Sequence, residues 1–536
     1  MSWLEELLSA AILASHKSAE ERCNALAEDA PHPLTVLDLV SAAQEVPVKP
    51  DNTRVFMLLV LACLKKAAHQ DSKDEDAVRV LAGIIAQTIK PLLWDLGRSM
   101  LPSSDEEEDT DKMIIALQRF AEAVEPATQA LEHLAQLTSP ATWVHDDEFW
   151  LTLIALSDTT QDWTKISPKV PGRANALIQA RFAGDGSRKE RFIVEDVLQR
   201  YLRPLFSRSK PASITTAGRK AEYQDPSAGR GEGIPNDSEE TKPWKFKGSR
   251  AIPAVAWAVD QSHEQLIGKH WPLFIPVLLT LTDDNTTAVR CRGLKILTNF
   301  LAKFPSKTLR NAGLSQVFED AIFPTLSYLP TLTPENESVQ LLDPAFEALL
   351  CLANTMESTT PSGTTNHKIK LLDKMLREGV FSAYFHAKVH VHIVELLYRQ
   401  LALILKQMGI YAVKHLKDLI PMISATLTDP FAPAAPAILR SAIKALQAVL
   451  AACWPRIPGS PWQDEIINAL TLCWCNIHDD DTAVFVPVRP AFEQELILSA
   501  KALAAVLEIE GVDLAVTVTP LVAKQPSLGR LFASAG

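Results

Sequence analysis

The sequence is poor in glycine and in aromatic side chains, which argues against a fold built mainly from β-strands. It has 20 glycines and 7% aromatic residues, against 35 prolines and 47% hydrophobic residues. Strands are enriched in aromatic and β-branched residues, and tight hairpin turns require glycine or asparagine. The composition is instead typical of helices whose connections are punctuated by proline, with enough apolar residues for a long core.

Long apolar runs and an excess of positive charge are also missing. The longest apolar run, Val55–Leu64, has ten residues, and residues 1–6 lack the basic stretch of a secretory signal. A membrane-spanning helix needs about 20 apolar residues. The formal net charge of −11 disfavours a nucleic-acid surface, which needs clustered Lys and Arg. We therefore expect a soluble intracellular protein that binds neither membrane nor nucleic acid.

Cysteines are too few and too scattered for a disulfide framework. All seven stand singly except for the stretch Cys473-Trp474-Cys475. An odd number without regular spacing predicts reduced thiols. Two residues two positions apart lie on different faces of a helix, so this pair is predicted to pack rather than to bind metal.

The motifs of common enzyme classes are missing as well. The sequence contains no G-x-x-x-x-G-K-[ST], no G-x-S-x-G, and no G-x-G-x-x-G after a predicted strand. Two clusters offer metal-ligand chemistry, namely the histidines at 386, 390 and 392 and the aspartates at 479–481. These two clusters are the basis for the rival hypothesis of a helical metal-dependent hydrolase.

Neither cluster has a convincing metal-binding pattern. His386 and His390 share a helix face, but His392 points about 200° away from His390 because each residue turns a helix by roughly 100°. Ala387 occupies the place of the glutamate that follows the first histidine in zincins. Asp479–Asp481 stands where an inter-helix turn is expected, so we predict that these aspartates cap a helix. We predict no enzymatic activity, no cofactor and no metal.

What the sequence does contain is a repeated helical pair. Apolar residues recur at i, i+3 and i+4 in Trp271–Leu279 and again in Val289–Leu297, with a polar turn, Asp283–Thr286, between them. Asp283 or Asp284 can cap the second helix by accepting backbone N–H bonds. One such pair cannot bury its own apolar face, so further copies are expected.

Prolines mark the period of these copies. The distances from Pro276 to Pro324 and from Pro324 to Pro421 are 48 and 97 residues, which leaves room for one unit between the last two. Pro276 and Pro421 are each followed eight residues later by an aspartate. We predict an all-α fold, an α-solenoid of HEAT-like helical pairs, in preference to an ordinary helical domain. The predicted units are centred on Pro276, Pro324, Leu372, Pro421 and Asn468.

The predicted domains differ in regularity. Residues 1–206 are predicted to be degenerate HEAT-like helices with an acidic loop at 102–111, in which Ser103 and Ser104 have the glutamate spacing preferred by acidophilic kinases. Residues 207–249 contain almost no aliphatic side chains and are predicted to be a disordered linker or insertion. Residues 250–536 form the predicted regular solenoid. Predicted N-terminal helices are 2–15, 17–29, 33–45, 52–69, 74–90, 112–137, 147–157, 173–182 and 190–206.

Residues 284–356 also contain blocks that are characteristic of a known family. The blocks are Val289–Leu294, Leu309–Leu314, Ala321–Pro324, Tyr328–Glu335, Leu341–Phe346 and Ala348–Leu352. They resemble the Tti-two subunit family of the Triple-T (Tel-two, Tti-one, Tti-two) co-chaperone complex, a family of HEAT-repeat proteins.

This resemblance implies a specific function, which the composition of the sequence alone does not indicate. Tti-two-like proteins act with Tti-one-like and Tel-two-like HEAT subunits and with the 90-kDa heat-shock chaperone. Together they mature phosphatidylinositol-3-kinase-related kinases (PIKK) and so support TOR signalling, the DNA-damage response and telomere maintenance. The implied role is a non-catalytic scaffold or adaptor of cytoplasm and nucleus. The alternatives are a nuclear-transport receptor of the karyopherin type and a phosphatase-type HEAT scaffold.

Three residues within a stretch of four are candidates for partner binding. Arg290 and Arg292 carry guanidinium groups that can bind carboxylates of an acidic partner in a bidentate manner. The alternative for Arg290 is that it supports the preceding turn. Gly293 within a helix costs about 1 kcal/mol relative to alanine. We attribute this glycine to the close approach of the paired helix or of a partner's backbone.

Overall fold

The computed structural model describes residues 2–13, 18–31, 34–67, 74–99, 106–143, 146–207, 241–246, 248–356, 367–483 and 485–532. The regular structure of these residues is entirely helical, and no strand occurs among them. The described residues up to Val277 form one compact unit, unit 1, and those from Leu278 onwards form a second, unit 2. The predicted all-α fold is confirmed.

Unit 1 is a stack of helices in two layers. Helices α1, α3, α5, α7 and α12 pack in succession in one layer, and α2, α4, α6 and α8 do so in the other. The short helices α9, α10 and α11 belong to the same unit, and residues 192–202 between α9 and α10 are π-helical. The helices are α1 (Trp3–Leu13), α2 (Ala19–Leu26), α3 (Val36–Glu45), α4 (Thr53–Lys66), α5 (Asp74–Ser99), α6 (Glu106–Leu137), α7 (Asp147–Leu156), α8 (Val170–Arg181), α9 (Gly186–Arg191), α10 (Arg203–Phe206), α11 (Pro243–Phe246) and α12 (Ala251–Gln261).

Unit 2 stacks helical pairs in the same way. The second helices of successive pairs, α14, α17, α20, α22 and α24, pack one on the next, and the first helices α21 and α23 pack on each other. Residues 375–381 between α18 and α19 are π-helical. The helices are α13 (Glu264–Thr282), within which the division between the units falls, α14 (Thr287–Ala302), α15 (Ser306–Asn311), α16 (Leu314–Ile322), α17 (Glu335–Thr355), α18 (His367–Lys374), α19 (Ser382–Ala387), α20 (Val391–Met408), α21 (Leu416–Leu427), α22 (Pro436–Cys453), α23 (Pro461–Asp479), α24 (Arg489–Glu508), α25 (Leu514–Lys524) and α26 (Leu528–Phe532).

Four of the five predicted unit centres lie within first helices, and the fifth, Pro324, lies just after one. Pro276, Pro421 and Asn468 lie in the first helices α13, α21 and α23, and Pro324 lies in the 3-10 turn that follows α16. The unit predicted near Leu372 exists, since this residue lies in α18 and is completely buried. Each pair buries its apolar face against the next, as the period requires.

Two predicted helix ends in unit 1 are wrong. Helix α5 continues through Pro91 to Ser99, although a connection was expected there. A proline inside a helix removes one backbone hydrogen bond, but Leu92 and Leu93 directly after it are buried, and this burial offsets the loss. Helix α6 begins at Glu106, within the predicted acidic loop. Ser103 and Ser104 lie outside the described residues, so their phosphorylation stays a prediction.

An aromatic side chain at the end of the predicted linker packs against a residue that precedes the linker. The ring of Trp244 stacks on Phe206, with centroids 5.2 Å apart and an interplanar angle of 7°. The indole is 1% exposed, so this contact buries almost its whole surface. Residues 208–240 lie outside the described residues, and the domain boundary predicted at 207–249 stays a prediction.

One helical segment in the described part of the chain, Pro436–Arg456, is long and apolar enough to cross a bilayer. It consists of α22 and the turn after it, and half of its residues are buried. Its buried face packs against α20 and α24. This segment is therefore a core element of unit 2.

Candidate protein-binding surface

The turn between α13 and α14 is closed by a buried aspartate. Asp284 is 2% exposed, and its Oδ1 accepts a hydrogen bond of 2.9 Å from the backbone N–H of Thr286. Thr286 occupies the N-cap position of α14, and its own side chain makes no capping hydrogen bond. Asp284 thus accepts a backbone N–H bond at the N-cap residue, while capping of the helix by Asp283 or Asp284 stays a prediction. An aspartate that bonds the backbone two residues on forms a turn that precedes the helix.

Arg290 holds this turn from the first half of α14. Its Nε donates a hydrogen bond of 2.9 Å to the backbone carbonyl of Asp284, and its Nη2 donates one of 3.3 Å to the carbonyl of Asp283. The guanidinium also lies 4.5 Å above the ring of Tyr328. Arg290 is only 5% exposed. These contacts agree with the alternative that Arg290 supports the preceding turn. The guanidinium binds backbone carbonyl oxygens of that turn rather than carboxylates.

Gly293 marks a close approach of two helices. A Cβ atom added to it would lie 2.8 Å from the carbonyl carbon and from the Cβ of Leu281, at the end of α13. Of the two causes proposed for this glycine, the structure shows the approach of the paired helix. Arg292 is half-buried on the same helix. The role of Arg292 in partner binding stays a prediction.

The same aspartate turn recurs along the chain. Asp429 and Asp480 each accept a bond from the backbone N–H two residues on, at 2.9 and 2.8 Å. Asp158 in unit 1 does so at 3.1 Å. Hydrogen bonds from the hydroxyl group and from the backbone N–H of Thr482 hold the pKa of Asp480 below its usual value. An aspartate eight residues after the helix proline was thus a correct signal for a turn at Asp284 and Asp429.

Of the aspartates at 479–481, Asp480 and Asp481 take part in the turn between α23 and α24, and Asp479 ends α23. Arg489 in α24 donates from Nη2 to the backbone carbonyl of Asp480 and, at 3.1 Å, to the carboxylate of Asp481. The arrangement repeats that of Arg290, in which an arginine of the second helix binds the carbonyls of the turn. No group of three or more His, Cys, Asp or Glu in the described part of the chain is placed to hold a metal.

The three clustered histidines do not share a helix face. Helix α19 ends at Ala387 and α20 begins at Val391, so the predicted i, i+4 pair of His386 and His390 is separated by a turn. His390 Nδ1 lies 3.0 Å from a carboxylate oxygen of Glu335, and this hydrogen bond lowers the pKa of Glu335. The expected single helix was wrong because the apolar pattern does not reveal the break.

Sequence reasoning missed a row of exposed apolar side chains. They lie in or next to the connections between the first and second helices of unit 2, a surface we call the turn edge. The row comprises Leu332, Phe385, Val389 and Phe431, which are 91%, 76%, 77% and 80% exposed. Leu332 lies in a block used for the family resemblance, yet nothing in its spacing indicates that it faces outwards.

Unit 1 contains a cleft that is lined by both polar and apolar side chains. Its volume is about 610 Å³, and it lies beside α3 and α5. Polar side chains of Gln44, Lys49, Arg79 and Gln87 line it together with valines at 46, 48 and 80. A mixed lining without a cluster of acid, base or nucleophile is typical of a surface groove rather than of an active site.

Comparison with known proteins identifies one family. Residues 149–434 match the model of the Tti2 family, over more than half of the chain and on both sides of the 284–356 blocks. The family indicated by the sequence resemblance is therefore confirmed.

Solved structures of long helical-repeat proteins also match. A crystal structure of Kap121p bound to Ste12p matches with a TM-score of 0.40 and 13% identity, over 98% of this chain and 50% of that chain. One of importin beta, in a polyethylene glycol condition, matches with a TM-score of 0.38 and 12% identity, over 84% of this chain and 49% of that chain. The chain spans about half the length of these structures. A likeness at this level says nothing about what the chain binds.

Proposed function

This chain belongs to the Tti2 family, and we propose that it is a non-catalytic scaffold subunit of the Triple-T co-chaperone complex. Its partners are a Tti-one-like and a Tel-two-like HEAT subunit and, through them, the 90-kDa heat-shock chaperone. The complex supports the maturation and stability of phosphatidylinositol-3-kinase-related kinases in cytoplasm and nucleus. The family match is the observation that carries this proposal.

The form of the two units supports a scaffold role. Stacked helical pairs present an extended surface, and proteins built in this way bind other proteins through many modest contacts. Polar side chains that would suggest chemistry have structural tasks here. The aspartates and arginines of the turns bond backbone atoms, and His390 pairs with Glu335.

We further propose that the C-terminal helices, from Ile252 to Leu507, carry the main contact with the Tti-one-like subunit. The four most exposed large apolar side chains among the described residues lie on the turn edge of unit 2. Arg290 is buried and Arg292 is half-buried, so Arg292 is the more accessible of the two arginines to a carboxylate of the partner. Arg290 is needed for the turn, so its replacement weakens binding only through lost stability.

Reconstitution tests this proposal directly. The purified full-length chain is mixed with purified Tti-one-like subunit and analysed by size-exclusion chromatography with light scattering. The expected result is a stable complex, to which the Tel-two-like subunit then adds. The full chain is used because Trp257 packs against Phe182 and Phe192, so a cut near residue 249 would break a core. Absence of any complex would overturn the proposal.

Depletion tests the cellular role. Loss of the protein should lower the steady-state levels of several PIKK enzymes without lowering their messenger RNA. Re-expression of the wild-type chain should restore them. Unchanged kinase levels after complete depletion would contradict the maturation role, even if the complex forms.

A further inference from the structure

A cleft and three exposed apolar side chains lie together on the turn edge of unit 2. Leu332 is in the connection before α17, while Phe385 at the end of α19 and Val389 after it flank the connection before α20. Next to them is a cleft of about 300 Å³. Its walls are Leu326, Leu329, Pro330 and Leu332 on one side and Glu378, Ala383 and His386 on the other.

The backbone at this cleft is strained. Thr331 has a φ of +116° and is the one non-glycine residue with a positive φ among the described residues. A β-branched residue in such a conformation costs about 1–3 kcal/mol, and strain of this kind clusters at functional sites. Thr331 lines the cleft and immediately precedes Leu332, whose side chain is 91% exposed. The strained turn therefore displays an apolar side chain beside the cleft instead of burying it.

The charges beside the cleft indicate what kind of segment it accepts. A carboxylate oxygen of Glu335 lies 3.0 Å from Nδ1 of His390, so this carboxylate is already engaged in a contact within unit 2. Lys388 is exposed and forms no ion pair with any described residue, and the exposed His386 and His392 flank it. A side chain that is exposed and apolar is ordinary by itself, but a contiguous patch beside a cleft is typical of a protein interface. Glu378, which lines the cleft, is also exposed, so the surroundings of the cleft carry charges of both signs. Only the α20 side, at Lys388, favours a carboxylate.

We infer that this cleft receives an apolar side chain of the Tti-one-like subunit, with a carboxylate of that subunit facing Lys388. The inference rests on the proposed function for the identity of the partner. Leu332, Phe385 and Val389 surround the inserted side chain and exclude water from it. The strained turn holds Leu332 in place before binding, which lowers the entropy that association costs.

Binding by surface variants tests this inference. The full-length chain carrying Leu332→Asp or Phe385→Asp is titrated against the purified Tti-one-like subunit, and the Kd is measured by calorimetry. Each variant should weaken binding by more than about tenfold. The matched control is Val516→Asp on α25, which replaces an apolar side chain that is 69% exposed and should leave the Kd unchanged. All three should melt like the wild type, since the substituted side chains are exposed.

A second pair of variants tests the charge. Lys388→Glu should weaken binding and reduce its dependence on salt concentration, because the charge-assisted contact is lost. Lys501→Glu changes the net charge by the same amount at another exposed lysine, in α24, and should have no such effect.

The outcomes separate the two proposals. If the wild-type chain does not bind the Tti-one-like subunit, the proposed function fails and this interface fails with it. If the wild type binds and Leu332→Asp and Phe385→Asp bind equally well, the proposed function stands and the interface is overturned. Self-association of the wild type that is lost in Leu332→Asp would assign the cleft to a second copy and would also overturn the inference.

Discussion

At the scale of single residues, Arg290 and Gly293 of α14 are both constrained by contacts with the end of α13 and the turn after it. Arg290 is buried because its guanidinium binds the carbonyls of Asp283 and Asp284 and covers Tyr328. Gly293 is required because Leu281 leaves no room for a Cβ atom. Both residues fix the distance between the two helices of the pair, so both can be tested through stability.

Gly293→Ala should destabilise the protein by about 1–3 kcal/mol, because the added methyl group would overlap the backbone of Leu281. The control is Gly172→Ala in the first turn of α8, where a Cβ would meet no atom within 4 Å. That change should leave stability unchanged or raise it by up to about 1 kcal/mol, since alanine favours the helix. Urea unfolding of both variants measures the difference. Equal stabilities would show that the helices are not in close contact.

Arg290→Ala should lower the free energy of unfolding by about 2–3 kcal/mol, because two carbonyl oxygens lose a charged donor. Arg290→Lys should restore little, since an ammonium cannot bind two carbonyls in the fixed geometry of a guanidinium. The comparison is Arg292→Ala, whose cost should be smaller because the side chain is half-buried. Thermal unfolding followed by circular dichroism ranks the three. A melting temperature unchanged in Arg290→Ala would contradict the turn-holding role.

At the scale of elements, polar contacts join each helical pair of unit 2 to the next. Arg399 of α20 reaches Asp343 of α17 at 3.1 Å, and Lys444 of α22 reaches Glu495 of α24 at 2.6 Å. A third contact joins Asp373 of α18 to the segment before α21, at 2.6 Å from Lys414 and 2.7 Å from His415. These bonds add directional contacts to the apolar packing.

The contact at Asp373 predicts a pH dependence. Although burial raises the pKa of this carboxyl group, hydrogen bonds from Lys414, His415 and Arg377 lower it to about 2. A carboxyl group with a lowered pKa stabilises the fold above its unfolded pKa of about 4, and that stabilisation is lost as the pH falls towards 2. The difference in unfolding free energy between wild type and Asp373→Asn should therefore be about 2 kcal/mol at neutral pH. It should shrink below about pH 4. A difference that does not change between pH 7 and pH 2.5 would contradict this assignment.

The connection before α17 also allows a prediction about strain. Thr331→Gly should stabilise the protein by about 1 kcal/mol, since glycine adopts a φ of +116° without steric cost, although it gains entropy in the unfolded state. Thr333→Gly, two residues on in the same connection, has no positive φ to relieve and should destabilise slightly. Chemical denaturation distinguishes the two. Destabilisation by Thr331→Gly would show that this turn is not strained.

At the scale of the molecule, the ends of the segment 208–240 are held together within unit 1. Phe206 stacks on Trp244, and Arg250 forms an ion pair of 2.9 Å with Glu148 of α7. Helix α12 then packs on α7 and on the π-helical residues 192–202. The predicted linker is therefore closed at its base, as an insertion would be.

Limited proteolysis tests this closure. The composition of residues 208–240 predicts that cleavage begins there. The two products should nevertheless elute together from a size-exclusion column, because α12 and Trp244 remain packed on the N-terminal helices. They should separate in denaturing gels, and Trp244→Ala should make them separate more readily on the column. Fragments of the wild type that elute apart, or a first cut within 271–353, would contradict the arrangement.

The sequence by itself determined the helical pairs, their period and the place of their turns. Pro276, Leu372 and Asn468 are correctly placed because helix periodicity and apolar faces are local properties, which a few neighbouring residues encode. The aspartates after the first helices were correct markers of turns for the same reason. Gly293 was correctly attributed to a close approach, since glycine inside a helix needs a cause.

Only the tertiary structure decided which side chains are buried and what they bind. Arg290 meets Tyr328 across 38 residues of chain, and Trp244 packs backwards on Phe206 rather than on the next helix. Pro91 is tolerated inside α5 because the leucines after it find a core. The exposure of Leu332 depends on a strained turn that no spacing reveals. Such contacts join residues distant in sequence, and their free energies depend on partners that local periodicity does not specify.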